Sequence, residues 1–359
     1  MKLRYIFIPA LAVAVILTAM TLDRMPVRNT AEPTVDRSVM ATAGTTEPVT
    51  EIPTEPPTEA PTDPQPEIFT LSFVGDCTLG CDKDILYSEF CFPTVVGEDY
   101  DYPLANVRHI FEDDDFTLAN LEGALTERGT PMDKEFTFRG SPAYTAILTG
   151  GSVEAVSNAN NHFYDYGEPG MADTAAALDA AGIAHAWRDS FLYTTDSGLT
   201  IGVYCDDFSF DRTEMADAIS GLREQGAEIV ICAFHWGVEK AYTPTADQTT
   251  WAHIAIDLGA DIVAGHHPHV LQPVEHYGSG VIYYSLGNFC YGGSVTPYDM
   301  DTAIIRQQVV RQPDGTVSLG ETSAIPCSVS SITGRNNYQP TPMEEGGEAW
   351  QRVLDKLGL

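Results

Sequence analysis

Between residues 68 and 359 short apolar runs alternate with longer stretches of helical spacing. FTLSFVGD (69–76), FTLANLE (116–122), SVEAVSNANNH (152–162), LTIGVYCDD (199–207), EIVICAFHWG (228–237) and DIVAGHHPH (261–269) predict strands that end in polar residues. Between them the spacing predicts helices near 104–111, 143–148, 169–181, 212–225 and 246–258. Such alternation implies βα units, and the unbroken runs IVICAF and DIVAG suit strands buried on both faces. After Pro273 the pattern turns to hairpins. VEHY and VIYYSLGNF meet around Gly278 to Gly280, and AIIRQQVV and VSLGETSAIP meet across Pro313 to Gly315. These elements predict an α/β sandwich of sheet on sheet with helices outside.

The first 67 residues have another texture. Residues 5–22 are uncharged and apolar behind Lys2 and Arg4, the pattern of an export signal with its positive end inside. The run just reaches membrane length and no A-x-A site stands directly after it. Residues 1–30 therefore read as an uncleaved signal anchor in preference to a cleaved signal peptide. From Ala31 to Glu67 there are eight Pro, eight Thr and no aromatic residue, so this stretch cannot pack and reads as an extended, disordered linker. At roughly 3.1 Å per residue it could hold a domain on the order of 100 Å from its anchor. Residues 68–359 are then one folded domain, single-pass tethered to the cell membrane and facing outward.

Charge narrows the possibilities. The chain carries 51 Asp+Glu against 19 Lys+Arg, and residues 68–359 hold 42 and 14 of these. A nucleic-acid binder must gather Lys and Arg on one face, so nucleic acid is excluded as a partner. The seven cysteines include no CxxC pair, which removes zinc ribbons and thioredoxin-like sites. A disulfide among Cys77, Cys81 and Cys91 is conceivable outside the cell, although spacing fixes no pairing.

Five strand ends carry polar clusters: Asp76; Asn120 and Glu122; Asn160, Asn161 and His162; His235; and His266, His267 and His269. In open α/β sheets ligands gather outside the carboxyl ends of strands. Each residue alone has a plainer reading, as a turn former, a buried histidine or the start of an exposed loop. Together they form a set of carboxylate, amide and imidazole donors suited to Mn²⁺, Fe or Zn²⁺. His267 and His269, two apart, would face one side of an extended segment.

The motifs FVGDCTLG, ANLEGAL, FTFRGSP, SNANNHFYDYGEPG, FHWGVEKAYTPTADQ, GADIVAGHHPHVLQPVE and YSLGNF run in order over nearly all of residues 68–290. In this the chain resembles the CapA-type poly-γ-glutamate capsule synthesis proteins, which are similar to the calcineurin-like metallophosphoesterase superfamily. The resemblance implies a metallophosphoesterase-like four-layer αββα sandwich holding one or two divalent metals. It implies Asp76, Glu122, Asn161, His235, His267 and His269 as ligands, with His162 as general acid and Arg139 and Asn120 toward substrate. Two positions depart from the superfamily pattern. Thr78 stands where a histidine ligand is expected, and Glu122 or Asn120 where a bridging Asp is, so one metal position looks depleted.

Two functions follow as expectations. The first is a role in synthesis, export or anchoring of a poly-γ-glutamate-like polymer, with the anionic polymer and membrane-bound capsule components as partners. The second is a metal-dependent phosphoesterase or related hydrolase. Without a GxxxxGK[ST] loop the chain is not an ATP-using ligase.

Overall fold

Three sheets organise residues 64–359, the part of the chain that the computed structural model describes. The expected anchor at 5–22 and the linker up to residue 63 lie outside the described residues. Among the described residues no helix is long and apolar enough to cross a membrane.

The larger sheet has eight strands. Its path runs Thr341–Pro342, Val317–Ser328, Asp301–Arg311, Glu67–Thr78, Phe116–Leu121, Ala155–Ser157, Ala184–Ala186, and Asn288–Tyr291 pairs with the end of Glu67–Thr78. The second sheet has six strands, in the order Val274–Tyr277, Gly280–Tyr283, Ile262–His266, Ile229–His235, Thr200–Asp207 and Asp189–Thr194. A small third sheet joins Cys81–Asp82, Phe138–Gly140 and Ala124–Leu125.

Alternation along the strands sorts the side chains into separate cores. Phe69, Leu71 and Phe73 pack in one cluster with Ile229, Ile231, Ala233 and Ile262, so the two large sheets share it. Val74, Ala119 and Leu121 point the other way, into a cluster with Ile147, Leu148 and Leu178 of the helices Thr145–Gly150 and Gly167–Ala181. Val230, Cys232 and Phe234 pack against Met215, Ile219 and Ala252 of the helices Arg212–Glu224 and Ala246–Asp257. Strands buried on both faces explain the unbroken apolar runs, and the mixed α/β expectation holds.

Both predicted hairpins form. The helix expected at 104–111 shrinks to Arg108–Phe111. Leu104, Val107, Ile110 and Phe111 are buried at helical spacing, but the backbone there closes i→i+3 turns, such as Val107 N–H to Leu104 O at 3.0 Å. All seven cysteines are free and buried, so no disulfide joins Cys77, Cys81 and Cys91. Burial pushes the Cys77 and Cys81 thiols up to about 12, which leaves them poor nucleophiles.

Candidate metal centre

Parallel pairing aligns the strand ends that carry the polar residues. Asp76 stands opposite Asn120 on one side and Asn288 on the other, and His235 stands opposite His266 in the second sheet. The sheets approach closely here, with His266 Nε2 3.3 Å from the Val74 carbonyl. Gly75 makes the approach possible, because a Cβ there would lie 2.1 Å from the Gly287 carbonyl oxygen. Asp76 N–H donates to that same oxygen at 2.9 Å.

The carboxylates are each held by one oxygen. Asp76 is fully buried, and its Oδ1 accepts from Asn120 Nδ2 at 2.9 Å. Its Oδ2 accepts no well-directed hydrogen bond and lies 3.0 Å from His269 Nδ1. Glu122 Oε2 accepts from the Thr78 hydroxyl at 3.2 Å. Its Oε1 is buried without a hydrogen bond, 3.7 Å from His235 Nε2 and 3.8 Å from His269 Nε2. Asn161 Oδ1 lies 2.8 Å from His235 Nε2, and the His235 and His267 rings are 4.9 Å apart between centroids. Nδ1 of His267 is buried and has no partner. His267 and His269 do approach each other, ring centroids 5.9 Å apart. They do so through left-handed backbone on either side of Pro268, φ 96° and 56°, and the extended alternation expected from spacing is absent. Such backbone is costly for a residue with a Cβ and clusters at functional sites.

The electrostatics favour a cation. Burial and the neighbouring His267 hold His235 well below the usual histidine range, and burial and His269 bring His267 down to about 4. Burial opposes charge on His269 as well, yet Glu122 and Asp76 outweigh it and raise that imidazole to about 10. Glu122 is raised by burial, whereas Asp76, despite burial, is lowered by its His269 neighbour. A buried carboxylate oxygen without a partner is expensive, and two of them face His269 here.

One ligand atom from each of Asp76, Glu122 and His269 lies within 4.8 Å of the others, and the same holds for Glu239, His267 and His269. Two ligands of one ion stand at most about twice a bond of about 2.1 Å apart, so both groups are near binding geometry. The donors are oxygen and nitrogen without sulfur, a set that fits Mn²⁺, Fe or Zn²⁺.

The structure places the other expected residues around this group. His162 Nδ1 is 2.8 Å from Oδ2 of Asp165, which is itself wholly buried. Lys134 Nζ pairs with the other Asp165 oxygen and donates to the Asn161 carbonyl at 2.8 Å. Asn120 is wholly buried and acts on its neighbours, holding Asp76 and accepting from Asn160 Nδ2 at 3.1 Å. Arg139 lies over the Tyr166 ring, 4.5 Å from its centroid. The adjacent Phe138 instead stacks on His162 at 4.2 Å, since successive strand residues point to opposite faces. A cavity of about 400 Å³ opens beside the centre, lined by His162, His269, Glu239, Lys240, Tyr291 and Tyr298 among others.

Three contributors escaped the sequence reading: Asp165, Glu239, and Asn288, whose Oδ1 lies 2.9 Å from His269 Nδ1. Each stands inside a motif quoted above, in SNANNHFYDYGEPG, FHWGVEK and YSLGNF. The motif was the signal available; Glu239 and Asn288 meet histidines far from them in sequence, whereas Asp165 lies only three residues from His162.

Residues 70–187 and 192–292 match the family described as bacterial capsule synthesis protein PGA_cap. The chain belongs to that family. The matched stretches contain every residue of the centre. The PGA_cap chain is 28% identical over 274 residues to the PGA biosynthesis protein CapA of Bacillus subtilis (strain 168), covering 69% of this chain and 70% of that one. It is 26% identical over 334 residues to the capsule biosynthesis protein CapA of Bacillus anthracis, covering 82% and 78%. Among solved structures it is similar to the calcineurin-like phosphoesterase YfkN of Bacillus subtilis, with a TM-score of 0.46 and 14% identity over 82% of this chain and 97% of that one.

Proposed function

We propose that this chain acts in the synthesis, export or anchoring of a poly-γ-glutamate-like capsule polymer through a divalent-metal centre built on Asp76, Glu122, His235, His267 and His269. The observation that carries the metal part is the meeting at His269 of two buried carboxylate oxygens without hydrogen bonds, Asp76 Oδ2 and Glu122 Oε1, with the His235 and His267 rings beside them and His267 Nδ1 also buried without a partner. The capsule part is supported by family membership and by the names of the Bacillus relatives. On this reading residues 5–22 anchor the chain and the Pro/Thr stretch carries the domain outward to membrane-bound capsule components. The domain is acidic, so an anionic polymer needs local cations, and Lys240 on the cavity wall is one.

A hydrolytic reading of the same centre is favoured by His162. A bound divalent ion supplies Lewis-acid polarisation of a carbonyl or phosphoryl oxygen and an activated water. His162 lines the cavity with Nδ1 turned to Asp165, so Nε2 is the atom left to pass a proton to a leaving oxygen. Asp165 and Lys134 hold the ring in place.

The test uses Asp76→Asn and His162→Ala in the full-length protein, with metal content by mass spectrometry, polymer yield in the native host, and a screen of γ-glutamyl amides and phosphate mono- and diesters. Asp76→Asn should lose metal and polymer together. Normal polymer yield without metal would reject the centre's role in capsule formation. His162→Ala should keep its metal. If it also keeps full polymer yield, the hydrolytic reading fails.

A further inference from the structure

Glu239 is not among the residues on which the proposed centre is built. It follows strand Ile229–His235 in the HWGVE segment, is exposed, and lines the cavity of about 400 Å³. One oxygen of its carboxylate lies within 4.8 Å of a ring nitrogen of His267 and of His269, a looser approach than the 3.0 and 3.8 Å that Asp76 and Glu122 keep from His269. His269 is thus common to two triads, one buried and one facing the cavity.

Two further observations single out the outer triad. His267 Nδ1 is a buried ring nitrogen with no hydrogen-bond partner, whereas most metal-free buried histidines satisfy both nitrogens. The loop bearing Glu239 is also tied to the histidine segment. Lys240 N–H donates to the Pro268 carbonyl at 2.8 Å, and Lys240, His267 and His269 all have left-handed backbone, φ 62°, 96° and 56°. Three residues that carry a Cβ are held in a costly conformation at one place, and the result is to bring Glu239 beside His267.

On the inner side, Thr78 spends its hydroxyl on Glu122 Oε2 and offers no imidazole. A centre limited to the inner triad would be the depleted, single-ion site expected from the sequence. We infer that Glu239 supplies the carboxylate of a second divalent-metal position, formed with His267 next to His269 and open to the cavity. The inference rests on the metal-centre reading above and extends it. The inner position has two buried carboxylates and the outer has one exposed carboxylate, so the outer ion is the weaker bound and the more accessible, as expected of a position left open for substrate.

The experiment titrates Co²⁺ into metal-stripped full-length protein, following d–d absorption and stoichiometry by mass spectrometry, for wild type, Glu239→Gln and Asp76→Asn. Glu239 is exposed, so the Gln variant should unfold at the wild-type temperature. Wild type should bind two ions per chain with separable affinities. Glu239→Gln should weaken only the second, by tenfold or more, and Asp76→Asn should weaken the first. A wild type that binds one ion, or a Glu239→Gln variant that binds as wild type does, overturns the inference while a metal centre stands. A wild type that binds no Co²⁺ sinks the metal-centre reading itself.

Discussion

Asp165 binds nothing in the cavity, yet it sets the orientation of a residue that lines it. It is wholly buried, accepts from Phe138 N–H and faces both Lys134 Nζ and His162 Nδ1. Asparagine in its place keeps the shape but turns one acceptor into a donor and removes the charge that pairs with Lys134. Breaking a buried pair from one side costs about 3–5 kcal/mol. Because Lys134 retains some exposure to water, Asp165→Asn should destabilise the domain by about 3 kcal/mol in urea unfolding, with metal content unchanged by mass spectrometry. Equal metal loss would instead make Asp165 part of the centre's support. In the sequence Asp165 lies in a Tyr-rich turn and looks like any loop aspartate. Its partner Phe138 is 27 residues away, a separation that local pattern does not report.

At the scale of elements, the helix Glu348–Leu357 carries Trp350, Val353, Leu354 and Leu357 at the i, i+3, i+4, i+7 spacing of an amphipathic helix, a signal that the expected elements omit. Only Val353 and Leu357 are buried on it. Both side chains nevertheless join the core shared by the two large sheets. Arg352 and Lys356 clasp Asp301 at 2.7 Å each. Burial would raise the Asp301 carboxyl, but Arg352 and Lys356 together hold it below the usual carboxylate range. The helix is thus docked by two apolar side chains and one ion-pair group. Leu357→Ala should cost about 2–5 kcal/mol, the range for emptying a core leucine site, read as a shift of the urea midpoint. A cost below about 0.5 kcal/mol would show the helix to be dispensable to the core. The central strands are legible by another signal, since their runs are apolar on both faces.

For the whole molecule, acidity has a measurable consequence. Glu154 and Asp114 sit in one acidic hollow with Asp115 and Asp196. Burial pushes Glu154 up to about 7 and Asp114 up to about 6, against about 4.3 and 3.9 in an unfolded chain. A carboxyl raised on folding contributes stability that is complete below its unfolded value and is lost as pH rises through its folded value. The hollow therefore favours the folded state near pH 4 and loses that contribution between about pH 4 and 7. Asp76 and Asp301 are shifted the other way, so the total curve mixes both signs and a difference measurement is needed. Glu154→Gln keeps an acceptor for the Thr117 N–H that Glu154 Oε2 now takes at 2.7 Å. Its melting temperature relative to wild type should rise between pH 5 and pH 7.5, and an unchanged difference would show that Glu154 titrates normally.

Taken alone, the sequence determined the βα order, the late hairpins and the oxygen- and nitrogen-donating residues at successive strand ends, because periodicity and strand ends are local properties written every two to four residues. Tertiary structure decided which of those residues meet. It turned Asn120 toward holding Asp76, gave the Thr78 hydroxyl to Glu122, bent His267 and His269 into left-handed backbone, and brought Glu239 up beside them. Each of these depends on contacts between segments far apart in sequence that lie at the ends of neighbouring strands, where side-chain direction is set by packing and by what the neighbouring strand leaves unpaired.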